Sequence, residues 1–418
     1  MSRIYVPLLA LLVGSVAAVA CGGDDDPAGG ASSSSGGSSS SSSGGSSSSS
    51  SGGSSSGDGG ADSSAEGGSG GPPAVRFVGR FDKRDAAGPR VAWPGARIVA
   101  RFDGTQVSVE LTETKGASDD TSRWDVFVDG ALLAQTLVPV EGTQTYPLAT
   151  GLAAGAHTVE LYRRTESYYG MTQFKKFDFG AGALLAPPPA PGRRIEILGD
   201  SGSNGYGIEG AGPACPGGAS AVNQNERKSW VGLAAKALGA DHHNVSYSGK
   251  GVYQNLDRTD LDLFGALYQR ALPDDAASAW AFADFAPDVV IVNMGNNDWD
   301  QPNAMVFDPP PAMGFRNKLD ELVGFVRTKY PAAWIFCTMN PTITDFYPPG
   351  YNAYTNMKAA VKGVVDARKA TDAKIEYFEF TPRALEADLT GCDYHASPAY
   401  SQTLANQIVP AIKAKTGW

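Results

Sequence analysis

Gly199-Asp200-Ser201 closes a short apolar run, Ile195 to Leu198, interrupted by one acid, Glu196. The chain then opens into a glycine-rich loop with Gly202, Gly205 and Gly207. A buried strand that stops at a serine is how α/β enzymes present a nucleophile at the carboxyl edge of a parallel sheet. A serine hydroxyl needs a base to take its proton, and imidazole is the usual one. The chain holds four histidines. His157 sits in a strand-like run, Ala156 to Tyr162, and reads as part of a structural β domain. His242 and His243 read as the solvated entry to a strand. His395 lies in Gly391-Cys392-Asp393-Tyr394-His395, just ahead of a helical pattern. Asp393, two residues before it, can accept a ring N–H if the backbone turns locally, which would set the tautomer. An acyl-transfer intermediate also needs oxyanion donors. Gly249, in Ser246-Tyr247-Ser248-Gly249-Lys250, can offer a bare backbone N–H. Asn297, in the Gly295-Asn296-Asn297-Asp298 end of a buried parallel-type strand, can offer an amide. Either segment can equally be an ordinary strand-to-helix turn, where Gly, Asn and Asp are common.

The order of these blocks carries more than any one of them. Gly-Asp-Ser, Ser-Gly-x-Gly, Gly-x-Asn-Asp and Asp-x-His follow one another over 194 residues. This order resembles the SGNH (GDSL-like) hydrolase superfamily. The resemblance implies Ser201 as nucleophile and His395 as base, with Asp393 as its acid. It places the oxyanion hole on the N–H groups of Ser201 and Gly249 and the amide of Asn297. Two features depart from the common pattern: the spacing is Asp-x-His rather than Asp-x-x-His, and Ala396 stands where proline often follows the histidine. The short spacing, Gly205-Tyr206-Gly207, Glu226 and Gly-Cys-Asp-Tyr-His resemble carbohydrate esterase family 2. Members of that family carry a small β-sandwich ahead of the hydrolase domain. They remove acetyl groups from sugar hydroxyls, notably at the 6-position of hexoses in plant polysaccharides. Some work with a serine–histidine dyad alone, so the part of Asp393 stays open. Trp299, Tyr394 and Tyr206 are candidates to stack on a sugar ring or simply to wall the pocket. Asp298 is expected to hold the Asn297 turn. The expected activity is carboxylic ester hydrolysis of an acetylated carbohydrate, acetylxylan esterase-like, without cofactor or metal. An SGNH lipase or thioesterase, and a non-catalytic glycan-binding surface lipoprotein, remain as rivals.

The N-terminus reads as an address. Arg3 precedes an apolar run, Val6 to Ala20, shorter than a membrane span and of signal-peptide length. Ala18-Val19-Ala20-Cys21 resembles a bacterial lipobox, which implies a lipid on Cys21 as the membrane's only hold on the protein. Residues 21–73 are nearly all Ser and Gly. They offer too little apolar surface to offset ordering and are expected to be a disordered tether. Fifty such residues reach about 40 Å. The expected location is extracytoplasmic: anchored at the cell surface or in the periplasm, or secreted. The 44 acidic and 34 basic residues leave a net charge of −10, and the bases form no runs, which argues against nucleic acid as a partner. A monomer is expected. Of the remaining cysteines, a Cys215–Cys392 disulfide would clamp the two loops of the site, and Cys337 reads as a buried thiol in an apolar strand.

Two folded domains must position these residues. Residues 74–183 alternate as strands with no helical period. The pairs flanking Asp103-Gly104 and Asp129-Gly130 look like tight hairpins. The expectation is a β-sandwich, jelly-roll-like, that braces the hydrolase domain. Residues 184–192 read as an Ala/Pro linker. From 193 to 418, strands at 194–198, 243–247, 288–293, 333–339 and 374–378 alternate with helices near 226–238, 260–272, 314–329, 352–370 and 399–414. That is a three-layer α/β domain, with its site at the strands' carboxyl ends.

Overall fold

The computed structural model describes residues 74–215, 219–301, 306–382 and 386–418. The leader, Cys21 and the Ser/Gly tether lie outside the described residues.

The first domain is built from β1 (Arg76–Val78), β2 (Arg90–Val91), β3 (Arg97–Asp103), β4 (Gln106–Thr114), β5 (Trp124–Val128), β6 (Ala131–Leu132), β7 (Gly142–Thr150), β8 (Ala156–Arg163), β9 (Met171–Asp178) and β10 (Ala183–Leu185). One antiparallel sheet runs β1-β3-β8-β5-β6, with β10 also on β3, and the other runs β2-β9-β4-β7. Alternate residues of each sheet face inward, as the two-residue strand period requires. Ile98, Ala100 and Phe102 from one side meet Val107, Val109 and Leu111 from the other in a single core.

The Asp129-Gly130 signal does make a hairpin, β5 to β6. The Asp103-Gly104 signal does not. β3 pairs with β1, β8 and β10, whereas β4 pairs with β7 and β9. The chain crosses there from one sheet to the other. Both strands still bury their alternate apolar faces, so the pattern that suggests a hairpin serves a sheet change equally well. The 184–192 linker is likewise shorter than expected, because Ala183–Leu185 adds to the edge of β3. β7 had no apolar alternation to announce it: it is a mostly exposed edge strand carrying Pro147 beside a register shift.

The second domain holds a parallel sheet of β11 (Arg194–Gly199), β12 (Asp241–Ser246), β13 (Val289–Asn293), β14 (Trp334–Thr338) and β15 (Ile375–Tyr377), in the order β12-β11-β13-β14-β15. Its helices are α1 (Ser201–Asn204), α2 (Trp230–Leu238), α3 (Phe264–Leu267), α4 (Asn296–Trp299), α5 (Ala312–Lys329), α6 (Ala353–Arg368) and α7 (Pro398–Thr416). α2 and α7 cover one face, over Ile195, Ile197, Val289 and Ile291. α5 and α6 cover the other, over Leu198, Val290, Val292 and Ile335. Strands buried on both faces explain the nearly unbroken apolar runs. α3 is much shorter than the helix expected over 260–272. Asp260 accepts the Asp262 N–H, and Asp262 is held by both Nη groups of Arg270. These local bonds compete with helix formation.

The two domains meet through buried charge. Arg80 of the sandwich and Glu196 of β11 form a fully buried ion pair at 3.1 Å. The Tyr268 hydroxyl adds a 2.6 Å bond to the same carboxylate. Asp241 takes Arg76 at 2.8 Å and Arg97 at 2.5 Å, both from the sandwich. Tyr162 of β8 donates to Glu226, which also binds His242 Nε2 at 3.1 Å and the Asn244 amide at 3.0 Å. His242 and His243 are therefore not a solvated strand entry. Both are buried in β12, and His243 stacks on Phe285 at 3.6 Å. Burial holds the His243 imidazole well below its usual range, as a neutral ring.

Removing one member of a buried ion pair leaves an uncompensated charge. Arg80→Met is expected to lower the unfolding free energy by about 3–5 kcal/mol in a guanidinium titration. A loss under about 1 kcal/mol would mean that water or relaxation already compensates Glu196.

Candidate active site

The site stands where the order of the parallel strands reverses. β11 and β13 are neighbours, but the chain leaves β11 toward one edge and β13 toward the other. Their carboxyl ends form the crevice where α/β proteins bind ligands. Ser201 follows β11 and Asn297 follows β13.

Asp200 caps α1, its Oδ1 accepting the Gly202 N–H at 3.0 Å. Ser201 is thereby the first residue of a four-residue helix. Gly202 is required by close approach: a Cβ there would lie 2.0 Å from the Asn340 amide nitrogen. The loop after β12 turns at Gly249, whose φ of +79° suits glycine. The Tyr247 N–H bonds Gly199 O at 3.2 Å and ties this loop back to β11. Asn297 joins the loops. Its Nδ2 donates to Lys250 O at 2.9 Å and makes a longer contact, 3.4 Å, to Asp200 Oδ2. Asp298 does not brace its own turn as expected. Its carboxylate accepts the N–H groups of Val252, Tyr253 and Gln254 at 3.1, 2.6 and 3.1 Å, holding the segment that follows Gly249. Burial pushes the Asp298 carboxyl up to about 6 and that of Asp200 up to about 7.

The imidazole arrives from the far end of the chain. Cys392 is bonded to Cys215 on the loop after Ser201. The Cys392 N–H bonds Gly207 O and the Asp393 N–H bonds Pro213 O, both at 2.9 Å. Gly207 must lack a side chain, since a Cβ would come within 2.5 Å of the Cys392 Cβ. Asp393 and Tyr394 both take positive φ, 51° and 60°. This conformation is uncommon outside glycine and here makes the turn that brings His395 against the loop following Ser201. Tyr206 packs against the imidazole with ring centroids 4.5 Å apart.

That turn sets the tautomer. His395 Nδ1 lies 3.0 Å from Cys392 O. A carbonyl can only accept, so Nδ1 carries the proton and Nε2 of the neutral ring keeps its lone pair. Asp393 faces elsewhere: its Oδ2 accepts the Tyr206 hydroxyl at 2.8 Å. The imidazole is oriented by a backbone carbonyl, and Asp393 acts on it through charge. Burial lowers the His395 pKa from its ordinary value; the hydrogen bond to the Cys392 carbonyl and, after it, the charge of Asp393 partly oppose this.

The aromatic candidates divide. Trp299 is not a platform for a sugar. It is 2 % exposed and packs edge-on to Phe315 inside the core, because α4 turns it away from the crevice. Tyr206 is engaged with His395 and Asp393. Tyr394 is 69 % exposed beside His395. Asn340, folded over Gly202, and Glu166, on the sandwich, belong to the site's surroundings without having been expected there. Neither lies in a Gly- or Ser-marked motif. Cys337 is a buried free thiol. Among the described residues no cluster of His, Cys, Asp or Glu is arranged to hold a metal.

A serine at the switch point, the Gly249 and Asn297 turns, and an imidazole fastened to the loop after the serine, carried on a three-layer α/β domain, have the form of an SGNH hydrolase. Residues 197–402 match the GDSL-like Lipase/Acylhydrolase family, and residues 77–189 match the Carbohydrate esterase 2 N-terminal family. The solved structure of a family two carbohydrate esterase from Clostridium thermocellum in complex with cellohexaose superposes with a TM-score of 0.74. It is 32 % identical, and the match covers 82 % of this chain and all of that one. The chain belongs to carbohydrate esterase family 2. It is 33 % identical over 346 residues to Cellulase/esterase CelE of Acetivibrio thermocellus, a match covering 83 % of this chain and 40 % of that protein. It is 28 % identical over 231 residues to an Acetylxylan esterase / glucomannan deacetylase of Cellvibrio japonicus, covering 54 % of this chain and 62 % of that protein. The chain thus spans less than two thirds of these curated relatives.

If His395 is the base, only its neutral form works, so kcat/KM rises with pH through its free-enzyme pKa. The acid limb should therefore fall below pH 6.5, the ordinary imidazole value. Asp393→Asn removes the charge that raises this pKa, so the limb should move to lower pH still. Asp393→Ala should cost far less activity than His395→Ala. An upward shift in Asp393→Asn, or equal losses in the two alanine variants, would contradict the carbonyl-oriented imidazole.

Proposed function

We propose that the protein is a serine esterase that removes O-acetyl groups from a carbohydrate, working outside the cytoplasm on a lipid-anchored tether. The observation that carries this reading is the imidazole whose Nδ1 is committed to Cys392 O, leaving Nε2 to serve a serine at the crevice. In the proposed reaction His395 Nε2 takes the Ser201 proton as Oγ attacks the acetyl carbonyl. The alkoxide is received by the N–H groups of Ser201 and Gly249 and by Asn297. One Asn297 amide hydrogen is held by Lys250 O. The other makes only the long contact to Asp200, so it is the one free to turn to an oxyanion. The sugar leaves with the proton from His395, and water then repeats the sequence on the acetyl-enzyme. The exposed Tyr394 ring beside His395 offers an apolar face to a pyranose.

The substrate class rests on the relatives: an acetylxylan esterase / glucomannan deacetylase and a family two carbohydrate esterase solved in complex with cellohexaose. The location rests on the apolar leader, Cys21 and the Ser/Gly run alone. A monomer suits a tethered enzyme reaching along a polymer.

Ser201→Ala is expected to lower acetate release from an acetyl ester by several orders of magnitude. Acetylated xylan, acetylated mannan and acetyl-hexoses, with products read by NMR, would give the polymer and the position attacked. Wild-type rates in Ser201→Ala would sink the nucleophile assignment. For the anchor, Cys21→Ser should move the protein from the membrane fraction of the native host to the soluble fraction. An unchanged distribution would refute lipidation.

A further inference from the structure

We propose that Glu166, a residue of the β-sandwich, is a positioning residue for the oxyanion-binding turn at Gly249. The inference rests on the reading that Gly249 supplies an oxyanion donor, and it extends the machinery of the reaction across the domain boundary.

Glu166 stands between β8 and β9, at the start of the short 3-10 turn Ser167–Tyr169, and is 1 % exposed. Its side chain leaves the sandwich and ends on Ser248, the residue before Gly249. Oε2 accepts the Ser248 N–H at 2.7 Å, and Oε1 accepts the Ser248 hydroxyl at 2.6 Å. Oε1 also accepts the Gln224 amide at 3.1 Å, and the Glu166 N–H returns a 3.1 Å bond to Gln224 Oε1. The Ser248 hydroxyl in turn receives the Asn204 amide at 3.1 Å, from the last residue of the helix that Ser201 begins. One carboxylate thus links the nucleophile's helix to the glycine turn.

The opposite side of the turn is held by the hydrolase domain itself. The Leu256 N–H bonds Gly249 O at 2.8 Å, and Asn297 bonds Lys250 O at 2.9 Å. These contacts fix the turn after Gly249. Before it, Ser248 is held at both its polar groups by Glu166. The direction of the Gly249 N–H depends on the backbone on both sides, because glycine resists rotation less than any other residue. A donor aimed in advance is worth more than one that must reorganise during reaction.

The chemistry of the site asks for a carboxylate. Three donors converge on two oxygens: a peptide N–H, a hydroxyl and an amide. A glutamine would turn an NH2 group toward either the Ser248 N–H or the Gln224 amide, placing donor against donor. Burial raises the Glu166 pKa, and these donors oppose it; the neutral hydrogen bonds, rather than exposure to solvent, hold the group in place.

The test uses the full chain with a chromogenic acetyl ester. Glu166→Gln should lower kcat by about 10- to 100-fold, since one oxyanion donor is worth about 10²–10³ and here is misaimed rather than removed. KM should stay within about two-fold. Ser248→Ala keeps the backbone bond to Glu166 and should lose only a few-fold in kcat. A purely structural role would lower the melting temperature without altering affinity for a transition-state mimic. The inhibition constant of methylboronic acid, whose serine adduct places an oxygen in the hole, should therefore rise in Glu166→Gln by the factor that kcat falls. Unchanged kcat, or a fall in kcat with unchanged boronate affinity, would overturn the proposal. Should Glu166→Gln not fold, Ser248→Ala decides, and wild-type kcat and boronate affinity in that variant would also overturn it. Ser201→Ala in the same assay separates the two readings. Activity that survives Ser201→Ala sinks the site itself, whereas a Ser201-dependent enzyme indifferent to Glu166→Gln sinks only this inference.

Discussion

Everything the site can do depends on fastening the turn that carries His395 to the loop that follows Ser201. The two residues are 194 positions apart, and α7, which follows His395, packs beside α2 on one face of the sheet. The turn is held by the Cys215–Cys392 bond, by backbone bonds to Gly207 and Pro213, and by Tyr206 against the imidazole. Each contact falls within fourteen residues of Ser201 in sequence. The covalent link needs glycine at 207 to let the chains approach. A single fastening of this density makes the imidazole's position a property of the loop after Ser201 rather than of the distant helix.

The same turn explains the altered acid. Two successive residues at positive φ carry the chain round within three peptide units, and the ring nitrogen meets the carbonyl of Cys392. The Asp393 side chain emerges on the outer side of that turn, where Tyr206 captures it. With only one residue between Asp393 and His395, it is a backbone carbonyl and not the Asp393 carboxylate that meets the ring nitrogen. A carbonyl sets the tautomer as well as a carboxylate does, but it stabilises the imidazolium less because it carries only a partial charge.

The sandwich is joined to the hydrolase domain by buried ions and polar groups, together with Trp93, which packs into the core of the hydrolase domain. Arg80 with Glu196, Arg76 and Arg97 with Asp241, Tyr162 with Glu226, and Glu166 with Ser248 are matched pairs with strict geometry. Such pairs add little net stability over an apolar contact but penalise every misaligned arrangement, because an unpaired buried charge is costly. This suits an interface that must hold the Gly249 turn in register. It also accounts for charged and polar residues inside strands: Glu196 is buried with its partner Arg80, and His242 and His243 are buried where the sequence reading has them solvated.

The sequence by itself determined the local chemistry. Gly-Asp-Ser after an apolar run, the Gly-x-Asn-Asp strand end and the Gly-Cys-Asp-Tyr-His segment were all legible, as were the parallel strands and all the long helices. These signals are local: strand period, capping and turn residues act over a few neighbours. What only the tertiary structure decided was which groups face one another. It sent β3 and β4 to different sheets although their alternation fits a hairpin, turned Trp299 into the core and shortened the helix at 264–267. It gave His395 a carbonyl in place of Asp393 and brought Glu166 from another domain to Ser248. Residue types and spacing constrain a segment's own backbone, but a hydrogen bond between remote segments exists only once packing has set their distance and direction, and no local pattern encodes either.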